Sequence, residues 1–194
     1  SVLRTGPFGS SLKGEHLTEF GRPVVTIGSL GVGRFLKSEL LYVSEATARV
    51  LADFELCPGD IAFSRVADVG RSVVVREAES GWIMSSNFMR ISVDSSRVAP
   101  EFLQATLALD VRVKKQIRAT VNSAGRDVAS SAILMSLRFP IAPYSEQVQV
   151  IARMAAVDRR IDAEDQFLTK VRTERTGLMD DLLTGRVRVT PLLA

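Results

Sequence analysis

One cysteine, one histidine and a 6% share of aromatic residues leave this chain short of the groups from which active sites are usually built. Cys57 alone excludes an internal disulfide, which fits a reducing, cytoplasmic setting. His16 and Cys57 lie far apart and offer neither a Cys–His pair nor zinc-ligand spacing. His16, between Glu15 and Leu17, reads as an exposed loop residue. Asp60, Asp68 and Asp127 each adjoin a turn-like segment, with no pairing that would serve acid–base or two-metal chemistry; Asp60, after a glycine, reads as a turn residue. GPFGS at 6–10 and GSLGVG at 28–33 lack both the phosphate-loop order and the dinucleotide-binding pattern, so Gly9 and Gly31 read as tight-turn glycines. No enzyme in its own right is expected, and no cofactor or metal. Long apolar runs are missing too: nothing approaches the roughly 18 residues of a membrane span, and SVLRTGPFGS has no signal-peptide core. A first residue of serine reads as a processed chain or a fragment.

What is present is an uneven distribution of charge. Residues 1–145 carry 17 Lys/Arg against 14 Asp/Glu, whereas 146–183 carry 6 against 8, within a net charge of +3. A basic front part beside a slightly acidic arm points weakly to a polyanionic partner.

The front part reads as short elements separated by turns. VVTIG at 24–28, IAFSRV at 61–66 and SVVVRE at 72–77 are strand candidates, and CPGD at 57–60 supplies a turn. WIMSSNFMRISV at 82–93 reads as one or two strands around a polar centre. PEFLQATLALDVRVKKQI at 100–117 has helical spacing with proline in its first turn. The segment after it reads as a loop, a short element and a strand stopped by Pro140 and Pro143. Together these describe a compact mixed α/β domain over 1–140 with a single sheet or a twisted partial barrel, and no internal repeat.

The period then changes. Val150, Met154, Val157, Ile161, Glu164, Leu168, Val171, Arg175, Leu178 and Leu182 follow steps of four and three, a heptad-like seam with polar interruptions at Glu164 and Arg175. A helix over 145–183, with Ser145 near its N-cap and Gly185 as its stop, would be about 58 Å long. A short basic tail, 184–194, follows. Such a helix needs a partner for its apolar stripe: a second copy, another subunit, or its own domain if it breaks near Glu164.

Basic and polar residues in the front part are the candidate site. Arg112, Lys114, Lys115, Arg118 and Arg126 run with no acidic residue between 111 and 126, and form either a phosphate-facing patch or a solvated helix face. Ser64, Arg65, Arg71, Ser85, Ser86 and Asn87 fall in loops or at strand ends and are chemically suited to base edges. Lys13, Arg34 and Lys37 complete the candidates. Trp82 reads as a packing residue rather than a stacking platform.

Several phrases together resemble the specificity subunit of type I restriction–modification enzymes. They are GPFGSSLK at 6–13, GRPVVTIGSLGVG at 21–33, CPGDIAFSRVADVG at 57–70, LRFPIAPYSEQVQVIARM at 137–154 and LLTGRVRV at 182–189. IAPYSEQVQVI keeps Pro143, Glu146, Gln147 and Ile151 of the phrase that opens the family's long helix, with Ala142 where a proline often stands. Leu182, Leu183, Gly185 and Val189 match the phrase that ends it, and Gly59, Asp60, Ile61 and Arg65 match a turn-and-strand phrase closed by Val69–Gly70. The resemblance covers essentially the whole chain and rests on the order and spacing of the phrases. It implies a target recognition domain followed by one long, coiled-coil-forming helix, about half of the usual two-domain subunit. It further implies non-catalytic reading of double-stranded DNA. Methylation would belong to methyltransferase (modification) subunits, and cleavage to a restriction/translocase subunit reached through the complex. A homodimer through the helix would restore a two-domain reader of a palindromic target. The competing expectation is a coiled-coil adaptor without base reading.

Overall fold

A computed structural model describes residues 2–7, 11–31, 33–123 and 128–188. The chain forms two units, 1–148 and 149–194. In the first, strands β1 (Val2–Thr5), β8 (Phe88–Ser92), β5 (Ile61–Ser64) and β6 (Ser72–Val74) make one sheet in that order. A second sheet runs β2 (Leu17–Thr18), β4 (Leu41–Val43), β3 (Arg22–Val25) and β7 (Ile83–Met84). All pairings are antiparallel except β3 with β7.

Two sheets, rather than the one sheet or partial barrel expected, follow from strands that are apolar on both faces. Side chains alternate along a strand, so a run such as Ile61–Phe63 must be covered from both sides. Ile61 and Phe63, with Met89 and Ile91, face a layer of helices through Leu103, Leu107, Val113, Ile117 and Ile133. Ala62 and Phe88 face the other way, onto Val25, Met84, Trp82 and Phe35. The second sheet alternates likewise: Val24, Val43 and Ile83 turn outward under Ala48 and Leu51. Trp82 is a packing residue, its ring tilted against Phe35 at 5.5 Å between centroids.

The helical region 100–117 is two helices, α2 (Pro100–Leu109) and α3 (Val111–Ser123). Asp110 between them has extended backbone and caps the second, its Oδ1 accepting the amides of Arg112 at 2.7 Å and Val113 at 3.4 Å. Two further short helices, α1 (Glu45–Val50) and α4 (Ser131–Ser136), start on capping hydroxyls of Ser44 and Ser130. The strand expected before Pro140 is absent; Leu137 and Phe139 instead pack as irregular chain against the helix-side core.

Helix α5 (Tyr144–Leu183) is 40 residues long. Its entry differs from the expected Ser145 cap: the Pro143 carbonyl accepts the amides of Glu146 and Gln147, placing Ser145 in the first turn. Gln147 is fully buried and holds that turn to the domain. Its Oε1 accepts the Ala99 amide at 2.9 Å, and its Nε2 donates to the carbonyls of Ala142 at 2.8 Å and Arg97 at 3.2 Å. Within the second unit the helix ends at Leu183, and Gly185 just beyond it has a φ of 71° that suits a glycine stop. Among the described residues no helix is long and apolar enough to cross a membrane.

Candidate nucleic-acid interface

Strand ends from both sheets meet at one edge of the first unit. The chain leaving β1 is tied there by the Gly6 amide, which donates to the Phe88 carbonyl at 2.9 Å. A β-carbon at Gly6 would lie 2.0 Å from the Ser85 carbonyl oxygen, so only glycine permits this approach. The Ser85 amide donates to the Val25 carbonyl at the end of β3, and the Arg65 amide to that of Asn87. Arg71 Nη2 reaches the Ile27 carbonyl at 3.3 Å. The loops after β1, β3, β5 and β7 therefore share one surface.

This edge gathers Arg65, Arg71, Ser85, Ser86 and Asn87, but their side chains differ in freedom. Ser64 is fully buried and its hydroxyl donates to the Val66 carbonyl at 2.8 Å, so it serves the turn and is removed from any surface. Arg65 is half-buried, with Nε donating to the Ala129 carbonyl at 3.3 Å. Loss of water around the guanidinium pulls its pKa below the ordinary arginine value, without discharging it near neutrality. Ser85 keeps a buried hydroxyl with no hydrogen-bond partner among the described residues, Ser86 is exposed, and Asn87 is half-buried. Arg34 lies exposed in the loop after β3, where its carbonyl accepts the Gly31 amide, and exposed Lys37 follows in a short helical turn. Lys13 makes local contacts, its Nζ 3.7 Å from Glu15.

Helix α3 adjoins the same loop. Val66 bridges Val128, the Ala129 amide donates to the Arg65 carbonyl at 2.8 Å, and Gly70 stands over the Ile117 side chain. With Val113 and Ile117 turned into the core, Lys114, Lys115 and Arg118 lie exposed on the opposite side of the helix. Arg112 is separated from them electrostatically. It pairs with Asp110 at 2.8 Å, and this hydrogen-bonded pairing lowers the Asp110 carboxyl to about 2 while raising the guanidinium. Arg126, together with Gly9, Asp127 and Val189, lies outside the described residues.

The few side chains suited to catalysis are not brought together. His16 Nδ1 accepts the Lys13 amide at 3.0 Å, a local contact. Asp60 is buried at its turn, accepting the Cys57 amide at 2.8 Å and the Ser92 hydroxyl at 2.5 Å. Among the described residues no cluster of three His, Cys, Asp or Glu could hold a metal ion. In the second unit the expected seam is open to solvent: Val157 is 59% and Ile161 53% exposed, with Val150, Leu168, Val171 and Leu178 also exposed. Glu164 and Arg175 are exposed, and Met154 and Leu182 half-buried.

No family model matches the chain. It is 22% identical over 180 residues to the MjaX specificity subunit, and 20% identical over 188 residues to the MjaVIII specificity subunit, of type I restriction enzymes of Methanocaldococcus jannaschii. Those alignments cover 89% and 95% of this chain, but only 41% and 44% of the relatives. The fold is shared with the HsdS subunit of Thermoanaerobacter tengcongensis at a TM-score of 0.59 and 16% identity, over 82% of this chain and 41% of that one. It is shared with the type I restriction–modification S subunit of M. genitalium at a TM-score of 0.58 and 15% identity, over 92% and 42%. A chain from a type I restriction–modification assembly matches at a TM-score of 0.63 and 14% identity, over 91% and 40%. The chain is thus a distant relative of type I restriction–modification specificity subunits, spanning about two-fifths of their length.

Proposed function

We propose that the first unit reads the sequence of duplex DNA and performs no catalysis itself. The observation that carries this reading is the convergence of four strand-end loops on one edge, with α3, which packs against one of them through Ile117, exposing Lys114, Lys115 and Arg118. Loops of that kind present Ser86, Asn87 and Arg34 to base edges, while the α3 cations neutralise phosphates and set position. Arg65 and Arg71 brace the loops and add positive charge beneath them. The protein acts in the cytoplasm, directing methyltransferase subunits and, through the complex, a restriction/translocase subunit to the site. Kinship with specificity subunits supports these partners.

The seam on α5 pairs with the same seam of a second copy, supplying the missing half of a two-domain reader. Closed two-fold pairing then makes the target an inverted repeat with a fixed spacer. Selection from random duplex DNA, using the chain assembled with its methyltransferase, tests the reading. Two short blocks separated by a constant gap are expected. A confirmed complex that enriches no sequence would contradict base reading and favour a coiled-coil adaptor.

A further inference from the structure

Hydrogen bonds close the loop 65–71 at its base. The Ser64 amide donates to the Arg71 carbonyl at 2.8 Å, the Gly70 amide to the Ser64 carbonyl at 3.2 Å, and Val69 packs on the helix-side core. At its apex Ala67 has φ 60°, a left-handed backbone that is costly for a residue with a β-carbon and persists only where the surroundings impose it. The polar side chains around this apex are mostly consumed: Ser64 by Val66, Arg65 by Ala129, Arg71 by Ile27. Asp68 is ion-paired with Arg71 but keeps its side chain 70% exposed. Its Oδ2 lies 3.5 Å from Arg71 Nε, which has no aligned hydrogen-bond partner, so the carboxylate keeps acceptor capacity.

We propose that Asp68 is a specificity-determining residue that accepts a hydrogen bond from the exocyclic amino group of a base, cytosine foremost, in the major groove. The inference rests on the DNA-reading function proposed above. An accept-only carboxylate on this edge is repelled by phosphate oxygens and by the acceptors of guanine. The N4 amino group of cytosine, and secondarily N6 of adenine, are the base donors that satisfy it there. The hydrogen bonds at the base of the loop fix the backbone from which Asp68 projects.

The test is binding-site selection with the full chain and its methyltransferase partner, run for the natural protein, Asp68→Ala and Asp68→Asn, with thermal melting of each. For the natural protein, cytosine is expected at one position of each block. Asp68→Ala should flatten that position by on the order of tenfold and leave the others intact. Asp68→Asn, which both donates and accepts, should move the same position toward adenine. Unchanged base frequencies in both variants, or uniform weakening over all sequences with a lowered melting temperature, would overturn the role of Asp68 while leaving sequence reading in place. A natural protein that enriches nothing would overturn both.

Discussion

The two units treat their apolar residues in opposite ways. In the first, Ile61, Phe63, Phe88 and Met89 are wholly buried between layers of the same unit. In the second, Val157, Ile161 and Leu168 line a periodic stripe that meets solvent. A lone helix of about 60 Å gains little by itself, and its stability comes from covering such a stripe. One region carries the interactions that fold it, whereas the other leaves its apolar stripe uncovered.

This contrast can be broken most severely from the domain side. Phe63→Ala removes a ring buried under the helix layer and should cost about 3–5 kcal/mol of domain stability, read by denaturant unfolding. On the helix, Ile161→Asp with Leu168→Asp should leave the unfolding of the domain nearly unchanged yet abolish self-association in sedimentation. A monomeric natural chain at high concentration would contradict pairing of the seam. Smaller still is the change from replacing Lys114, Lys115 and Arg118 with alanine. Binding should weaken uniformly across sequences, and the slope of log affinity against log salt should fall by roughly 0.9 for each phosphate that is no longer neutralised. Altered base preference instead would mean that these cations touch bases.

The smallest effect expected is at Asp110. Its folded carboxyl is lowered to about 2, first by the Arg112 hydrogen bond and then by the capped amides. A depressed folded pKa contributes stability that is complete above the unfolded carboxylate value of about 4. That contribution is lost as pH falls through about 2. Asp110→Asn should therefore flatten the acid limb of the stability curve over that window, leaving the variant slightly less stable than the natural chain at neutral pH and equal to it at the acid end.

The legible parts of the sequence were those with a strong period. The doubly covered strands β3, β5 and β6 showed as short apolar runs bounded by turns, and α5 as a seam of fours and threes. Strand β2, of two residues, carries no readable period and exists through its neighbours, whereas β7 and β8 lie in the stretch 82–93 that reads as one or two strands around a polar centre. The break in 100–117 had a signal, since Asp110 before Val111 is a capping residue inside an apparently continuous helix. Ser44 and Ser130 were comparable signals for α1 and α4. The candidate surface was legible by chemistry and not by burial. Ser64 looks like a loop hydroxyl until the strand pairing turns it inward, while Asp68, which reads as an ordinary turn carboxylate, stands on an exposed apex. Such differences depend on contacts between residues far apart in the chain, such as Arg65 with Ala129.

Binding-site selection in parallel on the natural chain and the Ile161→Asp, Leu168→Asp variant, each with its methyltransferase, addresses both units at once. The natural chain should return two inverted blocks at constant spacing, and the variant one copy of the same block. Recovery of the same paired blocks by the variant, or of no block by the natural chain, would contradict a self-sufficient reader completed by a paired helix.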